Sequence, residues 1–345
     1  MEPAASMGVG RIEAAVHGGD LAAARLRYPS AAEPWVDLST GINPHAYPVP
    51  TLGADVWQRL PQSDAEHRLL HAAAQRYGAA DAGSVVAAPG SQALIQIIPR
   101  LLEPSGVAVL GPTYGEHAAS WARCGHRVAE RRGLAEIGVA SIVVVVNPNN
   151  PTGRTIAADE LSALAAVLAQ RGGLLVVDEA FADFAAPGVS IVPHLPPATV
   201  VLRSFGKAYG LAGLRLGFAI AHPGLCRAVR AELGPWAVSG PAAEVAAAAL
   251  ADAHWLADVG GRLADDCRRL DELLLMHGFE LEGGTQLFRL AKHRRATVIA
   301  DVLGGAGIHV RRFPAQPSWL RFGLPGTDEQ WWRLAAALSA AAERT

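Results

Sequence analysis

Six short runs of aliphatic and β-branched residues, at 85–88, 107–110, 142–146, 174–177, 200–202 and 216–220, recur through the middle of the chain with helix-length segments between them. Most are apolar at successive positions, the pattern of strands covered on both faces. Strands of that kind, alternating with helices, assemble into a mostly parallel sheet with helices on each side, which restricts the chain to an α/β layer architecture. The intervening helices include 93–102, which Pro99 kinks or ends, and 159–170, which Thr155 or Asp159 can cap.

The two ends read differently. Residues 1 to about 50 are rich in Pro, Gly and Ala with few strand signals, and 228–345 is dominated by helical patterns at 244–259, 262–276, 297–303 and 329–343. We therefore expect an N-terminal arm, 1–45, that joins a smaller C-terminal domain, 229–345, beside a large domain, 46–228. No GxGxxG follows a strand, which removes the strongest sign of a dinucleotide site, and Gly304-Gly305-Ala306-Gly307 reads as a helix-ending turn.

Composition removes further classes. The 30 Lys and Arg stand against 32 Asp and Glu, a formal charge of −2, so bulk charge draws the chain neither to nucleic acid nor to an anionic membrane. The run 142–146 is far too short to span a bilayer, and the alanine-rich 242–253 contains Glu244 and Asp252. Cys124, Cys226 and Cys267 are odd in number and lack CxxC spacing, which supports neither a disulfide framework nor a zinc knuckle. With Glu2 and Glu13 and no apolar targeting segment near the N-terminus, the expected location is the cytoplasm.

Unusual polar residues gather directly after the strands. Gly90, Ser91 and Gln92 follow 85–88 and open a helix, whose first backbone N–H groups can cup a phosphate. Tyr114 follows 107–110; Asn147-Pro148-Asn149-Asn150-Pro151-Thr152-Gly153 follows 142–146; Asp178-Glu179 ends 174–177, where burial demands a cationic partner. Arg203-Ser204-Phe205-Gly206-Lys207 follows 200–202, and a lysine flanked by apolar runs is suited to covalent attachment to a carbonyl. Ligands of an open α/β sheet collect at the carboxyl ends of its parallel strands. Arg215 precedes its strand, so 216–220 must run antiparallel for Arg215 to share the site. The set complements an aromatic aldehyde with a phosphate tail and a basic ring nitrogen, namely pyridoxal 5′-phosphate. Lys207 takes the aldehyde, Asp178 the ring nitrogen and Asn150 the phenolic oxygen; Tyr114 stacks on the ring; Gly90, Ser91, Gln92, Ser204 and Arg215 hold the phosphate.

Three motifs, Asn147 to Gly153, Asp178-Glu-Ala-Phe181, and Ser204-Phe-Gly-Lys207 with Ala212-Gly-Leu-Arg215-Leu-Gly-Phe218, resemble those of the class I/II aminotransferase family of fold-type I pyridoxal-phosphate enzymes. The resemblance covers nearly the whole chain. It implies a mostly parallel central sheet with one antiparallel strand, a smaller α+β domain, and a homodimer with its active sites near the interface. Within the family, His17-Gly18-Gly19-Asp20, the segment 37–44 and the segment 178–184 are similar to the members that decarboxylate L-threonine O-3-phosphate to (R)-1-amino-2-propanol O-2-phosphate in cobalamin biosynthesis. The alternative is a histidinol-phosphate-type aminotransferase. By motif position the resemblance implies that Arg321 clamps the substrate carboxylate, that Arg311 and the turn His17-Gly18 bind its phosphate, and that Asn150 lies close to both cofactor and substrate. Arg312 is the alternative to Arg311. Phe181 and Leu60 stand where many relatives carry Tyr, and Gly41 where the decarboxylases carry Asn.

Two other classes fit less well. His67 and His71 lie four apart on a helical pattern, but Arg68 replaces the Glu of a zinc-protease HExxH motif, so no metal is expected. A non-catalytic ligand-sensing domain predicts an attached basic DNA-binding module and no need for Lys207.

Overall fold

The computed structural model describes residues 18–343. Its larger sheet has seven strands: β2 (Val85–Ala88), β3 (Gly106–Leu110), β4 (Arg127–Arg131), β5 (Ile142–Val146), β6 (Leu174–Asp178), β7 (Thr199–Ser204) and β8 (Gly217–Ala221), preceded in the chain by β1 (Val36–Leu38) of the other sheet. They lie in the order β2-β8-β7-β6-β5-β3-β4. β8 runs antiparallel to both β2 and β7, and the remaining pairs are parallel. The antiparallel strand is the one that Arg215 requires. It turns the order of the chain so that the segment before β8 and the segments after β2, β5, β6 and β7 open on the same edge.

The central strands are apolar at every position because both faces are covered. Val143, Val145, Leu175, Val177 and Val201 pack with Leu69, Ala73, Leu161, Leu168 and Ala246 from the helices Ser63–Tyr77, Ala158–Gln170 and Gly240–Ala251. On the other face Val86, Val107, Val109, Val144, Val176 and Leu202 meet Leu94, Ile98, Trp121, Cys226 and Val229.

A second sheet carries β9 (Glu280–Thr285), β10 (Phe288–Lys292), β11 (Ile308–Arg312) and β12 (Trp319–Gly323), and takes β1 from the N-terminal segment, in the order β1-β11-β12-β10-β9. β1 pairs with β11 in parallel, and the rest of this sheet is antiparallel. Helices dominate the C-terminal part, as expected, and the four strands that lie among them make it the α+β unit that the resemblance implies. Sequences such as Glu-Leu-Glu-Gly-Gly-Thr and Ile-His-Val-Arg-Arg carry charge or glycine at alternate places and present no apolar run. The same is true of the edge strand β4, whose outer positions are exposed.

Two helix expectations are corrected and one holds. The pattern 244–259 is broken at Asp252, which ends Gly240–Ala251 and caps Ala253–Met276 by accepting from Trp255 N at 2.9 Å. Pro99 ends the α-helix as expected, which runs over Ser91–Ile97 and passes into 3-10 helix over Ile98–Leu101. Neither Thr155 nor Asp159 caps Ala158–Gln170, whose N-cap position is Ala157. Among the described residues no helix is long and apolar enough to cross a membrane, and no group of three or more His, Cys, Asp or Glu is placed to hold a metal ion.

Candidate active site

Between the carboxyl edge of the large sheet and the second sheet lies a cavity of about 330 Å³. Its walls bring together Gly90, Ser91, Gln92, Tyr114, Asn150, Asp178, Ser204, Lys207, Arg215, Gly18, Arg311 and Arg321. His17 lies outside the described residues.

The phosphate end is built by close backbone approach. Gly90 has φ 88°, and a Cβ there would lie 2.8 Å from Arg215 Nη2; a Cβ on Gly217 would lie 2.3 Å from Ser91 N. Two glycines thus let the start of the Ser91–Ile97 helix, β8 and the Arg215 guanidinium share one corner. Arg215 itself adopts φ 53°, a left-handed conformation that costs a side-chain residue about 1 kcal/mol or more, and donates to Ala212 O at 3.2 Å. The Gln92 side chain is committed elsewhere. It accepts from Tyr114 OH at 3.1 Å and donates to Glu116 Oε2 at 2.9 Å, so it steadies the aromatic ring and leaves its backbone N–H for the cup. Burial and the nearby Glu116 carboxylate push the Tyr114 phenol up to about 12, which keeps the ring neutral.

Asp178 ends β6, only 4% exposed. The partner that its burial demands is His117, whose Nε2 donates to Asp178 Oδ2 at 2.8 Å, while Ala180 N donates to Oδ1 at 3.0 Å. Sequence reasoning missed His117. The available signal was its place three residues after Tyr114, in the first turn of the helix Glu116–Arg123; the two rings meet edge to face at 6.2 Å.

Lys207 lies in the short turn Phe205–Ala208, with Nζ 5.4 Å from the centre of the Phe181 ring. It forms an ion pair with no carboxylate of the described residues. Burial, reinforced by the charge of Arg321, pulls its ammonium down to about 8. Arg321 is 6% exposed. Its Nη1 donates to Asn150 Oδ1 and its Nη2 to Ser39 O at 2.7 Å, and its Nε is buried without a hydrogen-bond partner. Burial and the neighbouring Arg311 lower it to about 9. Arg311 stands opposite Arg321 in the β11–β12 register and is itself lowered by burial. Two half- to fully buried guanidiniums side by side, paired with no carboxylate among the described residues, form a site shaped for an anionic ligand. Of the two candidate arginines, Arg311 faces the cavity; Arg312 turns away to Asp301 at 2.8 Å and Tyr28 OH at 2.7 Å.

Gly41 has a steric reason. A Cβ there would lie 2.8 Å from Phe181 Cε1 and 3.0 Å from Phe288 Cδ1, so the two rings, edge to face at 5.0 Å, occupy the space a side chain would need.

The donor set fits pyridoxal 5′-phosphate: an amine without a carboxylate partner, a buried carboxylate, an aromatic plate, and a glycine-lined corner with a guanidinium. The carboxylate gives a direct test. Asp178→Asn is expected to retain cofactor, seen by its visible absorption, yet to lose about 10²-fold or more in turnover, because an amide cannot stabilise a proton on the ring nitrogen. Near-normal turnover would contradict that role.

Residues 51–338 match the family described as aminotransferase class I and II. The chain is 44% identical over 326 residues to a threonine-phosphate decarboxylase of Pseudomonas aeruginosa, covering 93% of this chain and 96% of that one. It is 43% identical to a threonine-phosphate decarboxylase of a Sinorhizobium species, covering 94% and 97%. Among solved structures it is similar to the histidinol-phosphate aminotransferase of Sinorhizobium meliloti in complex with pyridoxal 5′-phosphate, with a TM-score of 0.79, 23% identity and 94% of each chain covered.

Proposed function

The chain belongs to the aminotransferase class I and II family, and on that premise we propose that it is a pyridoxal-phosphate-dependent carboxy-lyase that converts L-threonine O-3-phosphate to (R)-1-amino-2-propanol O-2-phosphate, a step of cobalamin biosynthesis. The observation that carries this reading is the pair Arg311 and Arg321, two cations on one side of the cavity that pair with no carboxylate among the described residues. A phosphorylated amino acid brings a carboxylate to one and a phosphate to the other, and with them roughly three negative charges near neutral pH. Identity above 40% over nearly full length to proteins named threonine-phosphate decarboxylase supports it.

When bound, pyridoxal phosphate supplies a ring that accepts the electron pair of a bond broken at the substrate Cα. Lys207 offers the amine that holds the cofactor aldehyde. Asp178, oriented by His117, holds a proton at the ring nitrogen. Ser91, Ser204 and Arg215 bind the cofactor phosphate and Tyr114 covers the ring face. Arg321 fixes the substrate carboxylate and Arg311 its phosphate. Gripping both anionic ends, Arg321 and Arg311 would fix how the substrate Cα is turned in the cavity, and that orientation would decide between loss of the carboxylate as CO₂ and removal of the Cα proton by Lys207.

Holoenzyme incubated with O-phospho-L-threonine should release CO₂ and aminopropanol phosphate in equal amounts, with histidinol phosphate plus 2-oxoglutarate as the parallel assay. Glutamate without CO₂ would make the protein an aminotransferase and leave the cofactor site intact. Ligand binding without turnover of either kind would make it a sensor. Arg311→Ala should weaken the phosphorylated substrate by roughly 2 to 5 kcal/mol, the loss expected for one partner of a buried charge pair; unchanged KM would remove Arg311 from the phosphate site.

The reading includes a cytoplasmic homodimer. Cys124, Cys226 and Cys267 are free thiols, consistent with a reducing compartment. Trp57, Leu60 and Trp236 expose 68%, 58% and 61% of their surface, the kind of apolar area that a partner subunit covers. Light scattering should give twice the chain mass under assay conditions, and an active monomer would refute the dimer.

A further inference from the structure

The segment 37–43, Asp-Leu-Ser-Thr-Gly-Ile-Asn, leaves β1 beside the cavity, and Ser39 and Thr40 form part of the wall. Ser39 is fully buried and every polar group it brings to this point is engaged. Its Oγ donates to Asp37 Oδ1 at 2.6 Å and accepts from Gly19 N at 2.7 Å. Its backbone N–H donates to the same Asp37 oxygen at 2.8 Å, and its carbonyl accepts from Arg321 Nη2 at 2.7 Å. A Cβ on Gly18 would lie 2.4 Å from that carbonyl oxygen, so the turn at Gly18–Gly19 rests directly on the acceptor that Arg321 uses.

We propose that Asp37 and Ser39 are positioning residues that join the two anion grips of the substrate site: Ser39 holds the Gly18–Gly19 turn with its hydroxyl and Arg321 with its carbonyl, while Asp37 fixes the rotamer of Ser39. The proposal rests on the reading of Arg321 as the carboxylate grip and of the Gly18 turn as part of the phosphate grip. Its physical content is a fixed spacing. One buried residue with all its hydrogen bonds made has little freedom to move either partner alone, so the distance between the grips, and with it the length of ligand accepted, is set by Ser39.

Removing the hydroxyl frees the turn and leaves the carbonyl that serves Arg321. Ser39→Ala should therefore weaken a phosphorylated ligand selectively. In holoenzyme, with binding followed by the cofactor's visible absorption, the preference for O-phospho-L-threonine over L-threonine should fall about tenfold, with the affinity for L-threonine changed less than about twofold. Asp37→Ala should lower the preference in the same way. Asp37→Asn, whose amide oxygen can accept the same two bonds from Ser39, should restore it to within about threefold of wild type. If Ser39→Ala does not fold, the two Asp37 variants carry the test alone. Equal loss for both ligands would show a merely structural role, and an unchanged preference would show that the turn does not depend on Ser39; either overturns the proposal. Wild-type holoenzyme that binds O-phospho-L-threonine no better than L-threonine would instead refute the substrate reading on which it stands.

Discussion

Lys207→Ala will abolish turnover, with a loss of about 10³-fold or more, and borohydride reduction of wild-type holoenzyme will fix the cofactor to Lys207 while leaving Lys292 unlabelled. The chain has only these two lysines, so peptide mapping gives an unambiguous answer. Lys292 pairs with Glu280 at the surface, 3.4 Å away. Lys207 is buried, has Arg321 and Arg215 nearby to disfavour its charge, and is lowered from 10.5 to about 8. Only the neutral amine attacks an aldehyde, and its fraction rises about tenfold per pH unit below the folded pKa and levels above it. Capture of pyridoxal phosphate by the apoenzyme, timed by its absorption band, should accelerate from pH 6 to about 8 and then flatten. Because the unfolded chain keeps its lysine protonated up to about 10.5, it binds more protons than the folded one between about 8 and 10.5, and this group's contribution to apoenzyme stability rises with pH across that window. Label on Lys292, or a capture rate still climbing steeply to pH 10, would remove Lys207 from its role.

The residues that line the cavity could be gathered from the sequence because an α/β sheet imposes one rule: the segments leaving the carboxyl ends of neighbouring parallel strands emerge on a single edge. Tyr114, Asn150, Asp178 and Lys207 all obey it, and Arg215 obeys it once β8 is reversed. The features that stayed hidden were contacts between elements that no spacing measures. His117 meets Asp178 only because its helix lies along the edge of the sheet. The choice between Arg311 and Arg312 is one of strand parity, and it can be read only once 308–312 is known to be a strand, where Ile308 and Val310 take the buried side and Arg311 the other. Gln92 reads as a phosphate ligand until Tyr114 and Glu116 are seen at either end of its amide. Gly41 looks like a missing side chain until Phe181 and Phe288 are placed around it, and Phe288 comes from β10, almost 250 residues further along the chain.

Arg203 opens the segment that carries Lys207, and Arg203→Met is expected to destabilise the protein by about 3 to 5 kcal/mol. The residue is 3% exposed; its Nη1 meets Glu179 Oε2 at 2.8 Å, its Nη2 meets Asp183 Oδ1 at 2.9 Å, and its guanidinium lies 4.4 Å from the centre of the Tyr77 ring. Arg76 reaches Asp183 at 3.1 Å, so two arginines balance two carboxylates. Glu179 is completed by Ser190 Oγ at 2.7 Å and Ile191 N at 2.9 Å. Methionine fills much of the volume but strands Glu179 without a cation in a place water does not reach, and an orphaned buried charge costs more than the intact pair gains. The position of the cluster ties stability to function. Glu179 follows Asp178 and Arg203 precedes Ser204, so the ion pair sets β6 against β7 directly behind the groups that hold the cofactor's two ends. The lost stability should appear as a lower denaturant midpoint at unchanged slope. The double variant Arg203→Met with Glu179→Leu should recover part of the loss, because removing both charges together leaves no orphan in that half of the cluster. A single variant within about 1 kcal/mol of wild type, or a double variant worse than the sum of its parts, would show that the cluster is not held by charge pairing.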